Sequence, residues 1–334
     1  MLWVLLAPIC LLSCSDNLDD YEPAVWLKGN AWQALEEDGN YTMFLHAVGE
    51  TGYRPMLQGK SLLTVMAPND EAFKNYLQKK GYASIDNVDA NELKKLVTFH
   101  LLYYSYDKPD LINFRPAGDS ESDEESQVQA GQYYKFRTKS SDAPTKEFDN
   151  IYNTERTVYH FERFLPVFSY MYFNTKGIDA ATNYEYFYPD SKWTGSDGFN
   201  VSDATVDEYD IVVDNGRIYK IDRVLEPLET VDVELTNNED YSDFIGLYNR
   251  YSTYDYDADI SKSYAASAGV DSLFLHNHGS LQPIAQEWLN QKNVISTVGV
   301  MSNGVSVFAP NNSAMRKFFS NYWQPGGYSS LEDV

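Results

Sequence analysis

The stretch Leu62–Val88, LLTVMAPNDEAFKNYLQKKGYASIDNV, decides how this chain is read, because most of it returns near the other end. From Gly304 the sequence runs GVSVFAPNNSAMRKFFSNYWQPGGYSSLEDV. Every position from Leu63 to Leu77 aligns without a gap with one from Val305 to Phe319, so Ala67-Pro68-Asn69 faces Ala309-Pro310-Asn311. Thr64, Val65 and Met66 predict a short strand closed by Pro68, since proline offers no amide hydrogen to a ladder. Asn69 predicts an N-cap, with Asp70 and Glu71 in the first turn of the helix that follows. Lys79 and Lys80 fall in its last turn and Gly81 just beyond, as the helix dipole favours. Phe73, Tyr76 and Leu77 share one face at helical spacing. Tyr41, Thr42, Phe44 and Leu45 repeat as Tyr241, Ser242, Phe244 and Ile245, so a preceding helix is duplicated too.

Thr64-Val65, Ala67-Pro68-Asn69 and Ala72-Phe73 together resemble the first signature block of fasciclin domains. Phe99-His100 stands where that family carries a Tyr-His pair at a helix end. The run Asp214-Asn215-Gly216-Arg217-Ile218-Tyr219-Lys220-Ile221-Asp222-Arg223-Val224-Leu225-Glu226-Pro227 is similar to its closing block. The resemblance implies an α+β, mainly β fold: a fasciclin-type β-sandwich or wedge with packed helices, in tandem, the second copy incomplete. The boundaries read as 1–14 signal peptide, 15–38 tether and short helix, 39–230 first domain with insertions, 231–238 linker and 239–334 second domain. The second copy stops before its own His helix and strand-rich half, so the chain reads as part of a longer protein whose second copy is marginal in isolation.

The formal net charge of −23 argues against nucleic acid, whose phosphates repel an acidic surface. The two cysteines are Cys10 and Cys14, both in the first apolar run. Leu11-Leu12-Ser13-Cys14 resembles a bacterial lipobox, which implies that Cys14 carries lipid and that no internal disulfide forms. The run is too short to span a bilayer. Lys28 is the first basic residue, so the start reads as incomplete. Ser15-Asp16-Asn17-Leu18-Asp19-Asp20 resembles an acidic tether of surface-exposed outer-membrane lipoproteins.

Asp89 and Glu92 predict a capping box and a helix to about Leu102, with Leu93, Leu96, Val97, His100 and Leu101 on its buried face. Residues 116–129, an acidic block, and residues 174–200, rich in Gly, predict inserted loops. Asn215-Gly216 predicts a hairpin with positive φ in a tight turn. The second copy carries extra residues between its first helix and its Ala-Pro-Asn corner, within Arg250–Asn303.

Candidate binding residues are few. His100 reads as a hydrogen-bonded core residue as readily as a ligand contact. Asp210-Ile211 resembles the pair that animal fasciclin relatives present to integrins, beside the plainer reading of a strand Asp next to a core Ile. Tyr186, Tyr188 and Trp193 lie in an aromatic insertion that either packs the sheet or stacks on sugar. Asp255, Asp257 and Asp259 alternate like the start of a calcium loop, but Ile260 and Ala266 stand where it needs Gly and Glu. His276 and His278 offer two ligands and no third. No metal, cofactor or catalytic residue is assigned. The resemblance implies a non-enzymatic surface lipoprotein of the outer membrane that adheres to cell-surface or matrix protein; the alternative is polysaccharide binding for a glycan uptake system.

Overall fold

The computed structural model describes residues 29–59, 61–113, 134–175, 177–195, 198–281, 284–285, 300–301 and 306–329. Cys14, the tether and the acidic block at 116–129 therefore lie outside the described residues. Helices α1 (Ala31–Asp38), α2 (Thr42–Glu50) and α3 (Arg54–Gln58) lead into β1 (Leu63–Pro68), α4 (Asp70–Lys80) and α5 (Ala90–Phe99). Then come β2 (Leu101–Tyr103), α6 (Lys108–Asn113), β3 (Tyr134–Arg137), β4 (Thr145–Asp149), β5 (Thr154–Val158) and β6 (Phe164–Ser169). Helices α7 (Tyr170–Thr175) and α8 (Ala180–Phe187) precede β7 (Phe199–Val201), β8 (Ala204–Val213) and β9 (Gly216–Ile221). Beyond them lie α9 (Val231–Thr236), α10 (Ser242–Tyr248), β10 (Thr253–Tyr256), α11 (Ala258–Tyr264), β11 (Phe274–Asn277), β12 (Val300–Met301) and α12 (Asn312–Phe318). The fold is α+β. Among the described residues helices hold more of the chain than strands, so the mainly-β weighting gives way to a mixed one.

One sheet has the order β12-β3-β6-β7-β8-β9-β1-β2. An antiparallel bridge from Leu102 to Thr138, just past β3, curls β2 back toward β3. All six residues of β1 are buried, because the strand lies between two cores. Leu63, Val65 and Ala67 meet α1 to α5 on one side, while Met66 meets Phe99, Phe136, Phe199 and Tyr219 on the other.

The duplicated unit forms as its residues dictate. Asn69 accepts from Ala72 N at 2.8 Å, and Asn311 accepts from Ala314 N at 2.9 Å. Asp70 Oδ1 accepts from Met43 N at 2.8 Å, and Asn312 Oδ1 accepts from Asp243 N at 2.9 Å. Among the described residues, however, the strand is present only in the first copy. Residues 306–310 carry no ladder, and Phe308 is 94% exposed where its counterpart Met66 is fully buried. Ala314 and Phe318 are exposed, whereas Ala72 and Tyr76 are buried.

Several expectations need correction. The helix after Asp89 ends at Phe99, and Leu101–Tyr103 is a strand, because β1 takes Leu101 to Tyr103 as antiparallel partners. Glu92 does not close a capping box; it accepts the hydroxyl of Tyr82 at 2.8 Å instead. Part of the predicted loop at 174–200 is α8, capped where Asp179 accepts from Thr182 N at 2.8 Å. The residues before the second copy include α9, capped by Thr230. Gly216 is required by close approach more than by turn type: a Cβ there would meet Leu63 O at 1.8 Å.

The extra residues of the second copy supply β10 and β11, which join β5 and β4 in a four-stranded sheet. Likewise β12 pairs with β3. Strands from beyond the linker thus complete sheets begun before it.

Candidate functional site

His100 sits at the centre of the first copy and is fully buried. Its Nδ1 lies 2.9 Å from Leu96 O, and Leu225 N donates to its Nε2 at 2.9 Å. A carbonyl accepts only, so Nδ1 carries the hydrogen and Nε2 keeps a lone pair. Burial pushes its pKa down to about 4. The ring ties α5 to the closing Val224-Leu225 segment and is out of reach of a ligand.

Asp210 adopts φ 59° where β8 loses register between Glu208 and Ile211. The irregularity turns its carboxylate to Arg217, which donates to it, while Ile211 packs against the helical core. β7 pairs only with the start of β8, so this half of β8 has neighbours on one side among the described ladders.

The aromatic insertion divides. Tyr188 and Trp193 pack around Phe168, Phe173 and Tyr184, and Trp193 meets Phe173 edge-on at 5.3 Å. Tyr186 is 79% exposed and faces Phe187 instead. The three residues read as a platform do not share a surface.

A cleft of about 1120 Å³ lies elsewhere, between the first copy and the extra residues of the second. Tyr103, Tyr159 and Tyr264 line it, and Tyr159 stacks on Tyr264 at 5.2 Å and 26°. Lys139 Nζ stands 3.3 Å from the centroid of Tyr103, whose hydroxyl donates to Glu162 at 3.1 Å. Arg137 donates to the same carboxylate at 2.7 Å. Burial, then neighbouring Arg137, lowers the Lys139 pKa, and burial raises that of Tyr103. Apolar ring faces beside hydrogen-bonding groups make a wall suited to a polar ligand with one flat face.

Three residues of the cleft lining, Lys95, Asp142 and Glu229, belong with Arg163 to a ring of alternating charge. Lys95 Nζ lies 2.6 Å from both Asp142 Oδ1 and Glu229 Oε1. Arg163, 5% exposed at its side chain, donates to Asp142 and reaches Glu229 at 3.1 Å. This joins α5, the segments before β4 and β6, and the approach to α9. Sequence reasoning missed the cleft because Tyr103, Tyr159 and Tyr264 are brought together only by tertiary pairing. Its one legible signal was the abundance of tyrosine, 27 residues in all. Among the described residues no three His, Cys, Asp or Glu side chains are gathered to hold a metal, and no helix is long and apolar enough to cross a membrane.

Residues 39–158 match the fasciclin domain family. A solved FAS1 domain pair from the insect cell adhesion molecule fasciclin I is similar at 15% identity, with a TM-score of 0.31, over 70% of this chain and 67% of that one. No curated protein matches this chain.

Proposed function

From the premise that residues 39–158 are a fasciclin domain, of a family associated with cell adhesion, we propose that this chain is a surface attachment protein. In this reading lipid on Cys14 holds it at the outer membrane, with the acidic residues after it keeping the folded part in water. In this reading its task at the surface is to bind. The observation that carries the reading is the tyrosine-lined cleft walled by both copies, with room for several residues of an extended ligand. Weak contacts displayed many times over one surface gain strength through effective concentration.

Cell adhesion is the family's association. The stacked Tyr159–Tyr264 pair and the mixed lysine and carboxylate lining favour a polysaccharide as the molecule held, so capture of glycan for import is the second reading. Affinity-gel retardation against a panel of polysaccharides, with Tyr264→Ala and Lys139→Ala, separates the two. Retardation lost in those variants supports glycan capture. Cell adhesion lost on Cys14→Ala and on the cleft variants, without retardation, supports protein attachment. A chain that does neither, or whose cleft variants behave as wild type in both assays, disproves the reading.

A further inference from the structure

We infer that Ser252, His276 and Glu147 form a nucleophilic relay able to accept an acyl group from a carboxylic ester, an activity separate from attachment. The geometry is direct. Ser252 Oγ lies 2.8 Å from His276 Nε2, and His276 Nδ1 lies 2.9 Å from Glu147 Oε2. A carboxylate offers no proton, so Nδ1 carries the ring hydrogen. In the neutral ring Nε2 then holds a lone pair, and the serine hydroxyl donates to it. That is the polarity an activated serine requires: a base on the hydroxyl, and a carboxylate fixing the base from behind.

Two neighbouring rings hold the imidazole. Tyr254 stacks on it at 5.0 Å and 23°, and His278 at 4.7 Å and 30°. Glu147 also accepts the hydroxyls of Thr145 at 3.0 Å and Tyr254 at 3.3 Å. Hydrogen bonding to His276 offsets the burial of Glu147 and keeps its pKa below the usual range, so it remains a carboxylate. His276 is 5% exposed, whereas Ser252, just past the turn Asn249–Tyr251, is only partly buried. Ser252 is thus the less buried end of the Ser252–His276 pair. The three groups come from β4, β11 and the residue before β10, so the relay exists only where both copies meet. A pocket of about 490 Å³ is lined by His276 and Glu147 together with charged groups such as Arg163 and Asp232; Ser252 lies outside its lining, so an ester reaches the hydroxyl from the surface.

The chemistry balances without a further reagent than water. Ser252 Oγ bonds to the ester carbonyl carbon as its proton passes to His276 Nε2. The carbon–oxygen bond to the alcohol breaks, and the alcohol leaves with that proton. Water, deprotonated by the same nitrogen, then releases the carboxylic acid and restores Ser252.

A fluorophosphonate probe added to the full chain, followed by peptide mass spectrometry, tests this. The expected result is an adduct on Ser252, absent in Ser252→Ala. Labelling should slow about 100-fold in His276→Ala and by a smaller factor in Glu147→Gln, which keeps the shape but not the charge. Circular dichroism checks that each variant folds; if His276→Ala does not, Glu147→Gln decides the comparison. Hydrolysis of p-nitrophenyl acetate should fall in the same order. No adduct on Ser252 in the folded wild type, or equal labelling in the variants, overturns the inference. Polysaccharide retardation by Ser252→Ala remains as in wild type either way, which keeps this outcome apart from that of attachment.

Discussion

Asn312 accepts the backbone amide of Asp243 at 2.9 Å, through the atom that corresponds to the Asp70 oxygen holding Met43 at 2.8 Å. The second bond of each pair runs in opposite directions. Thr42 donates its hydroxyl to Asp70 Oδ2 at 2.7 Å, whereas Asn312 Nδ2 donates to Ser242 Oγ at 2.9 Å. A hydroxyl serves as donor or acceptor, so the joint survives the exchange of carboxylate for amide.

Asp70→Asn should therefore cost little, below about 1 kcal/mol, most of it the loss of a negative charge at the first turn of α4. Asp70→Ala removes both acceptors and should cost about 1–3 kcal/mol. Urea midpoints of the two variants check this ordering, and a midpoint for the Asn variant as low as that of the Ala variant would refute it.

Acid should weaken the first copy through His100. Its pKa falls from the ordinary 6.5 to about 4 on folding, so the unfolded chain binds the proton more readily. The contribution, about 3 kcal/mol, is fully present above pH 6.5 and is lost progressively as pH falls toward 4. Unfolding free energies at several pH values in this window, for wild type and His100→Gln, should show the pH slope reduced by about one proton in the variant.

The ring of Lys95, Asp142, Arg163 and Glu229 predicts unequal losses. Arg163 is the buried member, so Arg163→Ala leaves two carboxylates facing one lysine and should cost about 3 kcal/mol. Lys146→Ala, removing an exposed pair with Glu155 that solvent screens, should leave the midpoint nearly unchanged. Thermal unfolding distinguishes them, and equal shifts in Tm would contradict this account.

Asn215 is 1% exposed. It accepts from Ala31 N at 2.9 Å and donates to Leu57 O at 2.9 Å, so one side chain fastens α1 and α3 to the hairpin. Asn215→Asp replaces a donor with an acceptor that faces that carbonyl, and should cost about 2–3 kcal/mol. Gly216→Ala meets the Leu63 carbonyl head-on and should cost more, about 3 kcal/mol or above. Chemical denaturation ranks the two.

What could be read beforehand was what neighbouring residues decide. Asn69 and Asn311 cap helices because an Asn side chain reaches an amide three positions on, which sequence alone displays. The same holds for Phe73, Tyr76 and Leu77 on one face of α4. Leu101–Tyr103 looked helical because its apolar residues continue the period of α5; only the demand of β1 for a partner makes it a strand. Trp193 and Tyr188 could not be told from Tyr186 by type, since burial against Phe173 and Tyr184 depends on where α7 and α8 land. The cleft and the Ser252 relay lay out of sight for the same reason: Tyr264 and His276 meet Tyr159 and Glu147 through a sheet joined across more than a hundred residues.

That β3 takes its outer neighbour from Val300–Met301, and β5 from Phe274, bears on biosynthesis. A ribosome releases β3 and β5 well before these partners exist, so the nascent chain carries unpaired strand edges until Phe274 and then Val300–Met301 have emerged. Folding one module at a time is closed to this protein. It has to be kept soluble, and protected from pairing with its own siblings, until those strands arrive.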